Sequence, residues 1–347
     1  MATPAIETRP ENAVGSDTEV NPMGPENIHS MNSTAISFDE IPIVDVAPLI
    51  DGSDPRKVAE QLADIYANIG FLYIENHGVS ERLIQDMYRL TREFFALPME
   101  DKQRVNIERS GPTLRGYIPM YWENVDPTKT KDFKECFDYG ADGDAPAPFF
   151  GPNLMPEQPA GFGHTAMTYH AAMVRLAVKM VEGIALSLGL PADYFAERQR
   201  NPITVQRLLH YPPQSGQISV DELGIGAHTD YGFLTILHQD DNGGLQVMNR
   251  VGEWVNAPPV PGTFVVNIGD LVETLTNGRY VSTFHRVINV SGQERYSLPF
   301  FIDMDFDAQV EPVPTCLEPV GDKVYPAYIC GQHKYRRYVD SYAHLAV

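Results

Sequence analysis

The chain has 347 residues, 43% of them hydrophobic and 10% aromatic, enough for a sizeable buried core. Its 46 acidic against 26 basic residues give a net charge of -20, which disfavours nucleic acid and anionic membranes as partners. Three scattered cysteines (Cys136, Cys316 and Cys330) exclude a disulfide framework and a cysteine-based zinc site, and fit a reducing compartment.

Residues 1–38 are rich in Pro, Glu, Asn, Ser and Thr without apolar periodicity, and read as a disordered tail. From there one domain is expected over 39–347. No apolar run nears the roughly 18 residues of a bilayer span, and no basic-then-apolar leader opens the chain, so a cytoplasmic protein is expected. "IPIVDVAPLI" (Ile41–Ile50) reads as a short alternating strand. The next segment places Val58, Leu62, Ile65 and Ile69 at helical spacing, with Gly70 as a stop. "FLYIENHGV" (Phe71–Val79) follows as a strand, "ERLIQDMYRLTREFFAL" (Glu81–Leu97) as a helix, and Thr165–Leu190 as a long helix.

The pattern changes near Ile203. Short apolar runs ("ITVQRLLHY", "FLTILHQ", "GLQVMN", "GTFVVNIG", "STFHRVINV", "YSLPFFIDM") alternate with Gly, Pro, Asn and Asp. That spacing predicts a sandwich or barrel of antiparallel strands. "HQDDNGG" reads as a hairpin turn, with Gly243 and Gly244 supplying positive φ. The chain closes with a helix over Ile329–Leu345. The order is thus a helix-rich part (39–200), a β core (201–310) and a C-terminal segment with its helix (311–347).

At the head of one apolar run, "GIGAHTDYGFLTIL" sets His228 and Asp230 two positions apart. In an extended strand residues i and i+2 share a face, so an imidazole and a carboxylate can meet one ion. A lone HxD is more often a polar turn. His285, in "STFHRVINV", supplies a third ligand from another strand. Two histidines and a carboxylate form the facial triad of non-haem Fe(II) oxygenases, although zinc accepts the same set. "RYSLPFF" then places Arg295 and Ser297 on one strand face. A guanidinium forks onto a carboxylate, and a hydroxyl adds a further bond. One end of a dicarboxylate requires this arrangement.

These stretches, with "LLHYPP", "GGLQV", "FVVNIGDLVETLTNGRYVSTFHRV" and, upstream, "GFLYIENHGV", "FFALPMEDK", "RGYIP" and "KECFDYG", resemble the isopenicillin N synthase-like branch of the Fe(II)- and 2-oxoglutarate-dependent dioxygenases. The resemblance runs from about Ile41 to the C-terminus. It implies a mainly β fold with flanking helices, a double-stranded β-helix or jelly roll. It implies Fe(II) on His228, Asp230 and His285, and 2-oxoglutarate on Arg295, Ser297 and Tyr211. Many members carry Asn two positions before that tyrosine; this chain has Leu209, and Arg207 is a candidate replacement contact.

The implied reaction uses O₂ and 2-oxoglutarate to hydroxylate, desaturate or cyclise a small molecule, releasing succinate and CO₂. Asp230 speaks against a halogenase. Tyr117, Phe137, Arg207 and Phe301 are candidate substrate contacts, Phe301 by alternation from Ser297 through Pro299; core packing explains Tyr117, Phe137 and Phe301 equally well. A free amino acid, nucleobase, heterocycle or natural-product intermediate of secondary metabolism suits the layout. Other readings remain: a 2-oxoglutarate-independent oxidase, an ethylene-forming enzyme, a zinc hydrolase, or a non-catalytic binding protein on this scaffold.

Overall fold

The computed structural model describes residues 41–125, 132–143, 147–214, 218–219, 222–321 and 323–342. The expected tail at 1–38 lies outside them, as do the last residues of the closing segment.

Strand β1 (Ile43–Asp45) is shorter than expected, because Pro48 starts a one-turn helix, α1 (Ala47–Ile50). Helix α2 (Pro55–Asn68) begins at Asp54, whose side chain accepts from the Lys57 amide at 3.3 Å, and buries Val58, Leu62 and Ile65. Gly70 ends that turn at φ +75; a Cβ there would lie 2.4 Å from the Val281 carbonyl oxygen. After β2 (Phe71–Glu75), helix α3 (Glu81–Phe95) buries Ile84, Met87, Tyr88, Thr91 and Phe94, a 3.6-residue stripe. A short α4 (Met99–Gln103) leads to β3 (Gly116–Ile118) and β4 (Glu135–Tyr139). The 26-residue α5 (Phe162–Ser187) packs on α2 and α3 and against the sheet.

The remaining strands are β5 (Pro202–Tyr211), β6 (Ile225–His228), β7 (Leu234–Gln239), β8 (Leu245–Met248), β9 (Trp254–Asn256), β10 (Phe264–Ile268), β11 (His285–Val287) and β12 (Arg295–Asp305). Helix α6 (Asp270–Leu275) interrupts them, and a small pair, β13 (Gln309–Val310) with β14 (Tyr328–Ile329), precedes α7 (Cys330–Ser341). Eight strands form the large sheet in the order β1-β2-β10-β7-β12-β5-β4-β3. Four form the small one, β6-β11-β8-β9. Among the described residues of the two sheets, only β1–β2 is parallel. The fold is the mainly β jelly roll with flanking helices that the resemblance implied. The helix-rich half is less separate than its sequence suggests, because β1 to β4 extend the core sheet on both sides.

Candidate active site

A cleft of about 990 Å³, mouth included, opens between the two sheets. The large sheet floors it with β12 flanked by β5 and β7. Register fixes which side chains enter: Arg295 lies opposite Tyr211, Ser297 opposite Leu209 and Gln239, and Phe301 opposite Val205 and Thr235. All but Gln239 line the cleft, with Arg207 and Pro299 on the same parity.

The small sheet brings His285 directly opposite His228 across β11 and β6. Strand β6 ends at His228, so Asp230 lies just beyond it and the strand argument does not apply to it. Its position is set instead by hydrogen bonds. Its Oδ2 accepts from Thr235 Oγ1 at 2.5 Å and from Asn267 Nδ2 at 2.7 Å, side chains paired across β7 and β10. Its Oδ1 faces the histidines, 3.8 Å from His228 Nε2 and 3.7 Å from His285 Nε2. Behind the rings, His228 Nδ1 bonds the Gly226 carbonyl at 2.8 Å and His285 Nδ1 the Thr283 carbonyl at 3.2 Å. Those carbonyls require Nδ1–H, which leaves each Nε2 lone pair turned inward.

The donor atoms of this trio all lie within 4.8 Å of one another, and among the described residues no other such His/Cys/Asp/Glu group forms. Burial, then His285 beside it, pushes the His228 imidazole down to about 3. Burial raises the Asp230 carboxyl, but the two histidines, Asn267 and Thr235 outweigh it and hold it below its usual range. A neutral imidazole and an ionised carboxylate are the forms a metal binds. Two nitrogens and one oxygen on one side of a cleft fit Fe(II) with positions to spare.

Four cations line the cleft: Lys134, Arg207, Arg295 and Lys334. Lys134 bonds Asp132 at 2.5 Å and Glu123 at 3.0 Å, and Lys334 pairs with Asp303. Arg207 bonds Glu123 through Nη1 at 2.9 Å and Asp138 through Nε and Nη2 at 2.8 and 2.7 Å. Arg295 differs. It is 0% exposed and bonds only neutral groups: the Gly243 carbonyl, Gln239 at 3.3 Å and Ser297 at 3.4 Å. It also stacks on the Tyr211 ring at 4.6 Å, and the Tyr211 hydroxyl hydrogen-bonds Ser297. Among the described residues no carboxylate pairs with it. A buried guanidinium without a counter-ion is costly, and a ligand carboxylate reaching it through the cleft removes that cost. The residues present therefore fit 2-oxoglutarate as well as iron.

Four side chains were expected to touch substrate. Phe301 and Arg207 line the cleft. Arg207 is already gripped by two buried carboxylates and by Tyr338 and Tyr342, at 3.3 and 3.2 Å. Its guanidinium is thus not free to take over the co-substrate contact that Asn makes elsewhere. Tyr117 and Phe137 are corrections: neither lines the cleft. Phe137 pairs with Leu208 and Tyr117 with Phe137, one residue out of phase with the cleft-facing row of Arg207 and Leu209. Phe137 packs on Phe94 and Phe162, and the Tyr117 hydroxyl donates to Glu135 at 2.5 Å. Cys136 and Asp138 are the β4 residues in register with Leu209 and Arg207, and Lys134, on the same parity just before β4, lines the cleft. Asn267 carried a signal that went unused: an amide inside an apolar strand, "FVVNI". Lys134, Tyr231, Lys334 and Tyr338 carried none.

Fold and site define a non-haem iron oxygenase of the jelly-roll class. The profile of the 2OG-Fe(II) oxygenase superfamily matches residues 202–304, and that of the N-terminal region of non-haem dioxygenases in morphine synthesis matches 41–158. The chain is 38% identical over 318 residues to homoarginine-6-hydroxylase 2-ODD-233 of Oryza sativa subsp. japonica, covering 85% of this chain and 95% of the relative. It is 34% identical to the 2-oxoglutarate-Fe(II) type oxidoreductase ppzC of Metarhizium majus, covering 84% of each. The crystal structure of a full-length Neurospora crassa protein in complex with alpha-KG and thymine superposes with a TM-score of 0.77 at 28% identity, over 87% of this chain and 97% of that one. The chain belongs to the 2-oxoglutarate- and Fe(II)-dependent oxygenase superfamily. It is an oxidoreductase that uses Fe(II), 2-oxoglutarate and O₂.

Proposed function

We propose that His228, Asp230 and His285 hold the iron, that Arg295, Ser297 and Tyr211 seat the far carboxylate of 2-oxoglutarate, and that a small molecule is oxidised in the part of the cleft bounded by Phe301 and Arg207. The observation that carries this reading is Arg295, a buried cation without a carboxylate partner among the described residues, open to the same cleft as the His-Asp-His trio. With iron and co-substrate bound, the site supplies O₂-dependent attack on a substrate C–H bond, releasing succinate and CO₂.

The chain's own residues orient and enclose. Arg295 and Ser297 fix one end of the co-substrate, and the Tyr211 ring flanks the guanidinium. The Gly226 and Thr283 carbonyls fix the histidine tautomers. Thr235 and Asn267 hold one Asp230 oxygen so that the other is presented to the metal. Apolar Phe71, Leu209, Leu245 and Val287 keep the wall around the trio dry.

Hydroxylation is the outcome favoured, since relatives are named as hydroxylases. Homoarginine, in one relative's name, is a cation; thymine, bound in the Neurospora crassa structure, is neutral. Small-molecule ligands in such structures, a net charge of -20 and three buried free cysteines support a cytoplasmic enzyme of secondary metabolism with no nucleic-acid partner. The test is O₂ uptake by Fe(II)-loaded protein with 2-oxoglutarate and a small-molecule panel. Succinate should form in step with uptake, and both should vanish in His228→Ala. Protein that binds neither Fe(II) nor 2-oxoglutarate would leave a binding module as the better reading.

A further inference from the structure

Arg295 and Tyr211 meet at the open end of a ladder. Strand β12 begins at Arg295, opposite Tyr211, the last residue of β5. The residues just before it, 291–294, are exposed. Strand ends open first, so side chains must hold this pair in place.

His210 does so from the opposite face of the sheet. Its ring stacks on Tyr296, its partner on β12, at 4.8 Å, and lies 5.4 Å from the Phe95 ring. Both ring nitrogens meet carboxylates. Nδ1 lies 2.8 Å from Glu135, its partner on β4, and Nε2 bonds Glu294, the residue before Arg295. Glu135 is 4% exposed and also accepts from Lys102 Nζ at 2.8 Å and from the Tyr117 hydroxyl at 2.5 Å. Burial raises its carboxyl, but His210, Lys102 and Tyr117 outweigh it and hold it below the usual range. A carboxylate only accepts, so a ring bonded to two of them carries hydrogen on both nitrogens. Lys102, Glu135, His210 as an imidazolium, and Glu294 thus form a row of alternating charge from α4 to the start of β12.

The row has a weak link. Glu135 keeps two other donors if the ring loses a proton. Glu294, its side chain 53% exposed, forms no other ion pair among the described residues. A ring lone pair facing it would repel it into water. The Glu294 carbonyl accepts from Asn242 Nδ2 at 2.7 Å, next to Gly243, whose carbonyl takes Arg295 Nε. Movement at Glu294 therefore reaches the guanidinium from two sides. Two further charges face the stack: Arg92, 5.5 Å from the Tyr296 ring, and Asp240, which accepts from the Tyr296 amide at 2.6 Å. Neither bonds the His210 ring. Burial above all pushes the Tyr117 and Tyr296 hydroxyls up, so both stay neutral. An imidazole is the side chain whose charge changes nearest neutral pH.

We propose that His210 is a positioning residue for the co-substrate: its imidazolium, bridged between Glu135 and Glu294, holds the Arg295–Tyr211 end of the ladder, and loss of its proton weakens 2-oxoglutarate binding. This rests on the assignment of Arg295 and Tyr211 made above.

The test is calorimetric titration of 2-oxoglutarate into protein saturated with Fe(II) under anoxia, at several values from pH 6 to pH 9. Any pH dependence of the metal centre is common to wild type and variants, so the difference between profiles is read. Over this range the wild-type Kd should rise at least fivefold more than that of His210→Gln, which carries no charge. At pH 6 the His210→Gln Kd should already be at least fivefold weaker than wild type. Glu294→Gln alters an exposed side chain and leaves the core untouched; it should flatten the profile in the same way, which a merely structural role for His210 would not. Should His210→Gln fail to fold, the Glu294→Gln profile decides. Parallel profiles in wild type and variants, or a His210→Gln that binds within twofold of wild type at pH 6, overturn the proposal. Failure of the wild type to bind 2-oxoglutarate at any pH is a different result: it sinks the co-substrate assignment, and this proposal with it.

Discussion

Arg207 joins two buried carboxylates, Glu123 and Asp138, so its removal is the sharpest probe of the cleft's far wall. In Arg207→Met, Glu123 and Asp138 keep their buried positions but lose the guanidinium that bonds both. Removing one partner of a buried pair costs about 3–5 kcal/mol, because the charge left behind is uncompensated. Burial raises the Glu123 carboxyl, but Arg207 and then Lys134 outweigh it and bring it from 4.5 to about 2, so the guanidinium is the larger of its two counter-charges. For roughly 300 ordered residues, an unfolding entropy of about 2 cal/mol/K per residue converts about 4 kcal/mol into a Tm loss of about 6 °C.

The pH dependence has a definite sign. A carboxyl held below its unfolded value stabilises the fold above that unfolded value, and the contribution fades as pH falls towards the folded one. In the wild type the Glu123 contribution is therefore complete above about 4.5 and is lost towards 2. In Arg207→Met the carboxyl titrates higher, because burial is no longer outweighed. Acid then neutralises the orphaned charge, and the gap to wild type narrows between pH 7 and pH 5. Scanning calorimetry of both proteins at several pH values measures this. A Tm loss below 2 °C, or a gap that does not change with pH, refutes the view that Arg207 serves as the counter-ion of this wall. Arg207→Lys, which keeps charge but not the fork, should recover only part of the loss.

Arg295→Leu should raise the 2-oxoglutarate KM by about 10²–10³-fold, the loss of a charge-assisted bidentate contact at 1.4 kcal/mol per tenfold; steady-state succinate assays read it. Asn267→Ala removes one of two donors to Asp230 Oδ2, and Fe(II) affinity should fall by about 10–100-fold in metal titrations, with the fold intact by circular dichroism. Phe137→Ala should lower stability by about 3–5 kcal/mol through the cavity left against Phe94 and Phe162, while the KM for 2-oxoglutarate stays within twofold. A large KM effect there would place Phe137 in the cleft after all.

That His228, Asp230, His285, Arg295 and Ser297 come together in one cleft was legible because it is written in short-range signals. The RxS pair depends on strand alternation, which is local, and "RYSLPFF" lies in one continuous strand. His228 and His285 needed one further step, the pairing of β6 with β11 from a distant part of the chain. Where parity could be anchored to such a pair, as for Phe301, it led to the cleft. Where it was not anchored, as for Phe137 and Tyr117, aromatic character was a poor guide, because Cys136 and Asp138, not Phe137, are in register with the cleft-lining Leu209 and Arg207. The β1–α1 boundary failed for a similar reason: one proline, Pro48, ended an alternating run that otherwise continued.

The far wall was not legible, and the reason is distance along the chain. Arg207 meets Asp138 across 69 positions and Glu123 across 84, from a strand, a neighbouring strand and a loop. Nothing in "ITVQRLLHY" distinguishes an arginine awaiting a ligand from one already gripped by two carboxylates. Arg295 and Arg207 are the same residue type on two adjacent strands facing one cleft, and their roles are opposite. Among the described residues Arg295 bonds only neutral groups, which is the ground for proposing it as the seat of a ligand carboxylate. Arg207 has two carboxylates of the protein's own, Glu123 and Asp138. Counter-ion supply, a property of the fold and not of the motif, is what suits one guanidinium to the proposed role of co-substrate anchor and makes the other a brace for Glu123.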